Sequence, residues 1–103
     1  MTIDFQNTNF KADHKLLTFI EQKLEKLDHF YDKIIQAVVY LKVEKADDKD
    51  NKVLEIKLNV PSQSLFVSHK DKTFEAATDI AVEALKSQLV KYKDSLKSRS
   101  ANN

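Results

Sequence analysis

The sequence predicts an α+β fold: a two-layer sandwich in the order β-α-β-β-β-α, with a four-stranded sheet and both helices packed on one face. Three observations carry this. The chain has 103 residues and 42% hydrophobic content, about one domain with a modest core. Its apolar period switches from two to 3.6, back to two, and again to 3.6. Each strand-like segment has one apolar face and each helix-like segment one apolar stripe, so an antiparallel sheet with the helices on one side satisfies every stripe at once.

The elements follow in order. Ile3 and Phe5 alternate with polar neighbours and give a short first strand. Asp13 is positioned as an N-cap before Leu16, Leu17, Ile20, Leu24, Leu27 and Tyr31, a stripe for a helix of about four turns. Ile35 to Glu44 is rich in β-branched and aromatic residues, with Val39, Leu41 and Val43 on one face. The charged run Glu44 to Lys52 reads as a solvated loop. Leu54, Ile56, Leu58 and Val60 then alternate with Val53, Glu55, Lys57 and Asn59. Pro61 opens a turn, for which type I geometry is expected, before a fourth strand carrying Leu65 and Val67 inward and Phe66 outward. Thr73 starts the last helix, with Phe74, Ala77, Ala81, Leu85, Leu89, Tyr92 and Leu96 at helical spacing. The unit is expected to span residues 1–98, with 99–103 as a short tail. The far sheet face should be open and carry Tyr40, Lys42, Glu55, Lys57 and Asn59. Double-stranded-RNA-binding domains use a related layered arrangement, an analogy of fold and not of function.

Composition excludes whole classes of chemistry. Glycine is absent where about seven residues would be usual. That rules out a P-loop, a GxGxxG dinucleotide site and a GxSxG nucleophile elbow, all of which need backbone to approach a ligand or bend sharply. Cysteine is absent too, which removes disulfides, thiolate metal sites and thiol nucleophiles and suits a reducing cytoplasm. No apolar run approaches the roughly 18 residues of a membrane span, and the N-terminal sequence lacks a signal-peptide pattern. His14, His29 and His69 fall at no metal-ligand or catalytic interval. Asp47, Asp48 and Asp50 superficially resemble a calcium loop, but the turn glycine and closing glutamate are missing and lysines are interleaved. No triad or carboxylate pair stands out, so no enzyme, cofactor or metal is expected.

Charge placement says more. The formal net charge is +1, yet Ala84 to Asn103 holds five basic residues and one acid, while the preceding 83 residues hold twelve basic and fifteen acidic. On a helical wheel Lys93 and Lys97 fall within about 20° of Lys86. On the first helix Lys15 and Lys26 lie within about 20° of each other and Lys23 about 60° further round, opposite Glu21, Glu25 and Asp28. If the two basic flanks adjoin, Lys15, Lys23, Lys26, Lys86, Lys93 and Lys97 form a patch able to track a phosphate backbone, with Lys91 and Arg99 at its rim. The competing reading makes them solubilising residues that complement helix dipoles. Phe19, Phe30, Tyr31, Phe74 and Tyr92 sit on or beside core stripes and read as packing, leaving Tyr40 and Phe66 as exposed aromatics.

Two runs of residues carry a family resemblance. Lys23-Leu-Glu-Lys-Leu-Asp-His-Phe-Tyr-Asp-Lys-Ile34 followed by Val39-Tyr-Leu-Lys-Val-Glu-Lys45, and Phe74-Glu-Ala-Ala-Thr-Asp79 with Gln88-Leu-Val-Lys-Tyr-Lys-Asp-Ser-Leu-Lys97, resemble the bacterial ribosome hibernation promoting factors. These are also called ribosome-associated translation inhibitors or ribosomal subunit interface proteins. The likeness implies a non-catalytic stress and stationary-phase factor, and nothing in the sequence demands more than a monomer for the free protein. Such a protein binds the small ribosomal subunit between head and body, competes there with mRNA and tRNA, and so blocks translation. It also implies that Lys23, Lys26, Lys91, Lys93 and Lys97 face rRNA, to which the wheel adds Lys15, Lys86 and Arg99. The length matches the short members, which lack a C-terminal dimerisation domain. Ser87 replaces a frequent family arginine, and Pro61-Ser62 stands where Asn-Gly is common. A different class of reading is a protein-protein adaptor using the open sheet face or the acidic loop, without an rRNA role.

Overall fold

The computed structural model describes residues 1–44 and 50–101. Among these are four strands and two helices in the expected order: β1 (Thr2–Asn7), α1 (His14–Phe30), β2 (Gln36–Val43), β3 (Lys52–Val60), β4 (Gln63–Asp71) and α2 (Phe74–Ala101). Asp47 and Asp48 of the calcium-like segment lie outside the described residues. None of the described His, Asp and Glu residues cluster in a way that could hold a metal. No described helix is long and apolar enough to cross a membrane.

Both helices begin where their capping residues dictate. The Asp13 carboxylate accepts the Leu16 N–H at 2.8 Å, and the Thr73 hydroxyl accepts the Ala76 N–H at 3.0 Å, each satisfying a donor that the first turn leaves open. α1 stops at Tyr31, whose backbone is extended. It buries Ile20, Leu24 and Leu27, spaced at i, i+4 and i+7. α2 buries Phe74, Ala77, Ala81, Leu85, Leu89 and Tyr92 by the same periodicity. Its 28 residues make a rod of about 42 Å that accounts for much of the 54 Å long axis. The helical backbone continues through Ala101, so segment 99–103 begins inside α2.

The sheet order is β1-β2-β3-β4. β2, β3 and β4 pair antiparallel, with Ala37, Leu58 and Leu65 in one cross-strand row and Val39, Ile56 and Val67 in the next. β1 departs from the antiparallel expectation: it pairs parallel with β2, Ile3 opposite Ala37 and Phe5 opposite Val39. The reason is the connection. α1, with its flanking loops, carries the chain back along the sheet, so β2 starts at the same end as β1; a crossover of that length yields a parallel pair.

The β3–β4 turn also corrects the sequence reading. Val60 pairs with Gln63, leaving Pro61 and Ser62 at the corners, and Ser62 has φ 76°. A positive φ at the second corner belongs to a type II turn, not to type I. Glycine would occupy that position without strain, whereas a residue with a Cβ gives up about 1 kcal/mol there. The Tyr92 hydroxyl donates to the Pro61 carbonyl at 2.7 Å and so ties the strained turn to α2.

Two side-chain amides continue the sheet's hydrogen bonding at its margins. Asn9 donates to the Val43 carbonyl at 2.6 Å and accepts the Val43 N–H at 3.1 Å, extending the β1–β2 pairing past Asn7. On the opposite edge Gln88 of α2 accepts the Phe66 N–H at 3.3 Å and donates to its carbonyl at 2.8 Å. An edge strand presents unpaired backbone to any passing chain, and Gln88 closes part of that template.

The core lies between the helices and one sheet face, where Ala37, Val39, Leu41, Leu54, Ile56 and Leu58 are fully buried. Phe10 stacks on Phe74 at 5.1 Å and extends the core toward the start of α2. The other face is open, as expected from Tyr40, Lys42, Glu55, Lys57 and Asn59, and also carries Phe66 at 51% exposure.

Candidate nucleic-acid interface

α1 and α2 lie side by side and run in the same direction, because their contacts climb together. Lys23 bridges Asp79 at 3.1 Å, Leu27 and Phe30 share a groove with Val82 and Lys86, and Tyr31 meets Tyr92 edge to face at 5.6 Å. The negative dipole end of α1 therefore falls beside the middle of α2, where the lysines are densest.

Phe30, the last residue of α1, is the hub of this region. The Lys93 ammonium sits 4.5 Å from its ring centre and donates to its carbonyl oxygen at 3.0 Å. The Lys86 ammonium sits 5.8 Å from the same ring. Cation–π attraction and an open helix-end carbonyl thus draw two α2 lysines to the end of α1. Lys26 approaches from the α1 side, so the expected meeting of the two basic flanks occurs at Lys26, Lys86 and Lys93.

The eight lysines and arginines expected to face rRNA divide by what they touch. Lys23 is paired with Asp79 and lies 5.4 Å from the Phe19 ring. Lys93 is half-buried as a cap on α1. Lys26, Lys86 and Lys97 are exposed and make no ion pair among the described residues, with Lys97 one turn beyond Lys93. Two are not brought into the cluster. Lys15 stands about 16 Å back along α1 from Lys26, beside a separate shallow depression lined by His14, Thr18, Phe19 and Gln22. Lys91 lies about 160° round α2 from Lys93, away from α1. Arg99 belongs to the last turns of α2.

Between the helices runs a groove of about 340 Å³. Leu27, Phe30 and Val82 form its apolar floor, while Lys26, Lys86, His29 and Glu83 stand around it. The sequence reading placed Phe30 in the packing set and gave Glu83 no role. The fact that would have singled out Phe30 is its position at the end of a helix whose neighbour carries lysines seven residues apart, and that neighbour is known only once the helices are side by side.

One carboxyl elsewhere departs from ordinary titration. Asp71 is held below its usual 3.8, first by the Lys72 backbone N–H donating to it at 2.8 Å and then by the His69 ring at 3.1 Å. This pair sits at the end of β4, apart from the lysine cluster.

Comparison with known proteins agrees with the fold and with the family resemblance. The family model described as Sigma 54 modulation protein / S30EA ribosomal protein matches residues 3–97. A ribosome hibernation promoting factor from Escherichia coli (strain K12) is 31% identical over 97 residues, covering 94% of this chain and 98% of that protein. Among solved structures, a ribosomal subunit interface protein from Coxiella burnetii superposes with a TM-score of 0.81 at 19% identity, over 91% of this chain and 99% of that one. The N-terminal domain of Thermus thermophilus Protein Y superposes with a TM-score of 0.77 at 26% identity, over 89% and 99% respectively. With β-α-β-β-β-α order, paired helices on one sheet face and a family match over nearly the whole length, the chain belongs to the Sigma 54 modulation protein / S30EA ribosomal protein family.

Proposed function

We propose that this protein is a ribosome hibernation factor that binds the small ribosomal subunit through the α1–α2 face. There it occludes the channel used by mRNA and tRNA, and so halts translation in stationary phase or stress. Residues 1–98 act as one binding unit in the cytoplasm. The observation that carries the placement is the group of exposed cations that make no ion pair among the described residues, with Lys26 and Lys86 at its centre and Lys97 extending it. Cations not engaged in an ion pair have none to give up when they meet phosphates, and counterions released from RNA supply most of the affinity. Lys23 and Lys93 contribute by positioning: one ties α1 to α2, and the other seals the end of α1. The reading needs no catalytic group and no cofactor.

Cosedimentation with purified small subunits tests it. The protein pellets with the subunit at low salt, and the logarithm of its affinity falls linearly with the logarithm of salt concentration. Absence of binding at low salt refutes the reading. The exposed Phe66 and Tyr40 favour a second reading, an adaptor that docks a protein on the open sheet face. Under that reading Phe66→Ser, and not charge reversal on the helices, abolishes partner binding.

A further inference from the structure

The groove between α1 and α2 is more than a charged surface. A duplex backbone is read by cations on a flat or convex face and has no use for an apolar concavity. Here Leu27, Phe30 and Val82 floor a groove of about 340 Å³, at the small end of ligand-binding pockets and roomy enough for a flat heterocycle. Lys26 rises on the α1 side and Lys86 on the α2 side. The one part of RNA that pairs an apolar face with an anion on each side is an unstacked nucleotide, its base buried and its flanking phosphates at the rim.

Glu83 adds direction. It is exposed and lines the groove, and its carboxylate makes no ion pair among the described residues, although Lys86 is three residues further along the same helix. An ionised carboxylate only accepts hydrogen bonds. It favours a base edge that offers an amino group, as cytosine does through N4, and opposes uracil, which presents a carbonyl oxygen at the corresponding position. Resting on the reading of this face as an RNA surface, we propose that the α1–α2 groove takes one unpaired nucleobase from single-stranded RNA, with Glu83 as the residue that selects a base bearing an exocyclic amino group.

The test uses the whole protein and two fluorescently labelled heptamers, rC7 and rU7, at pH 7.5 and low salt. Fluorescence anisotropy should show rC7 binding at least threefold more tightly than rU7. Glu83→Gln, whose amide can both donate and accept, should bring the two within twofold, while Lys86→Glu should weaken both. NMR resonances of Leu27, Phe30 and Val82 should move on addition of rC7. Equal affinities in the unmodified protein, a preference that survives Glu83→Gln, or shifts confined to Tyr40 and Phe66 on the open sheet would overturn the proposal. Cosedimentation separates this from the wider reading. Protein that pellets with small subunits but does not discriminate the heptamers refutes the groove alone; protein that discriminates but does not pellet keeps the groove and refutes the ribosomal role.

Discussion

The helix layer and the open sheet face both expose lysines, acids and aromatic rings, yet they handle them differently. On the sheet several polar groups answer one another across strands, although Lys42 and Lys57 make no ion pair among the described residues. Lys70 bridges Glu44 at 3.2 Å, Ser68 donates to Glu55 at 3.3 Å, Ser64 donates to Asn59 at 2.7 Å, and Asn59 donates to Gln36 at 3.2 Å. Along the α1–α2 seam Lys26, Lys86 and Glu83 stand close together with no ion pair among the described residues. The register of a sheet sets opposite groups a few ångströms apart and lets them satisfy each other. Two helices meeting along a groove leave their flanking residues facing outward. The lesson is that a lysine is available to a partner when it lacks one of its own, which counting charges does not reveal.

The largest expected effect breaks that comparison directly. Reversing both Lys26 and Lys86 to glutamate should reduce affinity for small subunits by about 100-fold or more and lower the slope of log affinity against log salt by roughly two, at unchanged helicity. Reversal of Lys70, which is paired with Glu44 on the sheet, should change affinity by less than about threefold. A loss per reversed charge equal to that at Lys26 and Lys86 would mean that net charge, and not its placement, governs binding.

Smaller effects sharpen the distinction between lysines that bind and lysines that hold the fold. Lys93→Met keeps the aliphatic stem but loses the hydrogen bond to the Phe30 carbonyl. It should lower stability by about 1.5 kcal/mol, seen as a reduced denaturation midpoint. Lys86→Met, which removes no hydrogen bond, should change stability by less than about 0.5 kcal/mol. At the sheet margin Ser62→Gly should raise stability by up to about 1 kcal/mol by relieving the positive φ, and Ser62→Ala should not.

The smallest effect concerns pH. Because the folded-state pKa of Asp71 is lowered, its ionised form stabilises the fold at pH values above the unfolded 3.8. That contribution is lost as pH falls from there through the lowered folded value. Asp71→Asn should lower stability near pH 7 by that small contribution, flatten this part of the acid unfolding curve, and converge with the unmodified protein below the lowered folded value. An acid limb identical to that of the unmodified protein would show that the Lys72 N–H and His69 contacts do not persist in solution.

Much of this was legible in the residues. The Asp13 cap, the 3.6-period stripes of α1 and α2, and the strict alternation of β3 each follow from local chemistry that needs no partner to be recognised. The lysine ridge on α2 was legible for the same reason. Which lysines would be occupied was not, because Lys23 finds Asp79 and Lys93 finds the Phe30 carbonyl across 56 and 63 residues of chain. Gln88 and Asn9 likewise look like surface amides until the strand edges they complete are in place.

The sequence by itself determined the element order, the two faces of the sheet, the basic end of the chain and, through the absence of glycine and cysteine, the chemistries that could not be present. Periodicity, capping and composition act between near neighbours or on totals, so they are written in the order of residues. The tertiary structure decided the parallel pairing of β1, the type II corner at Ser62, and the alignment of the helices that sets Lys26 and Lys86 around one apolar groove. Those depend on which distant segments share space, and that is settled only when burial of the whole core selects one packing among those the local patterns allow.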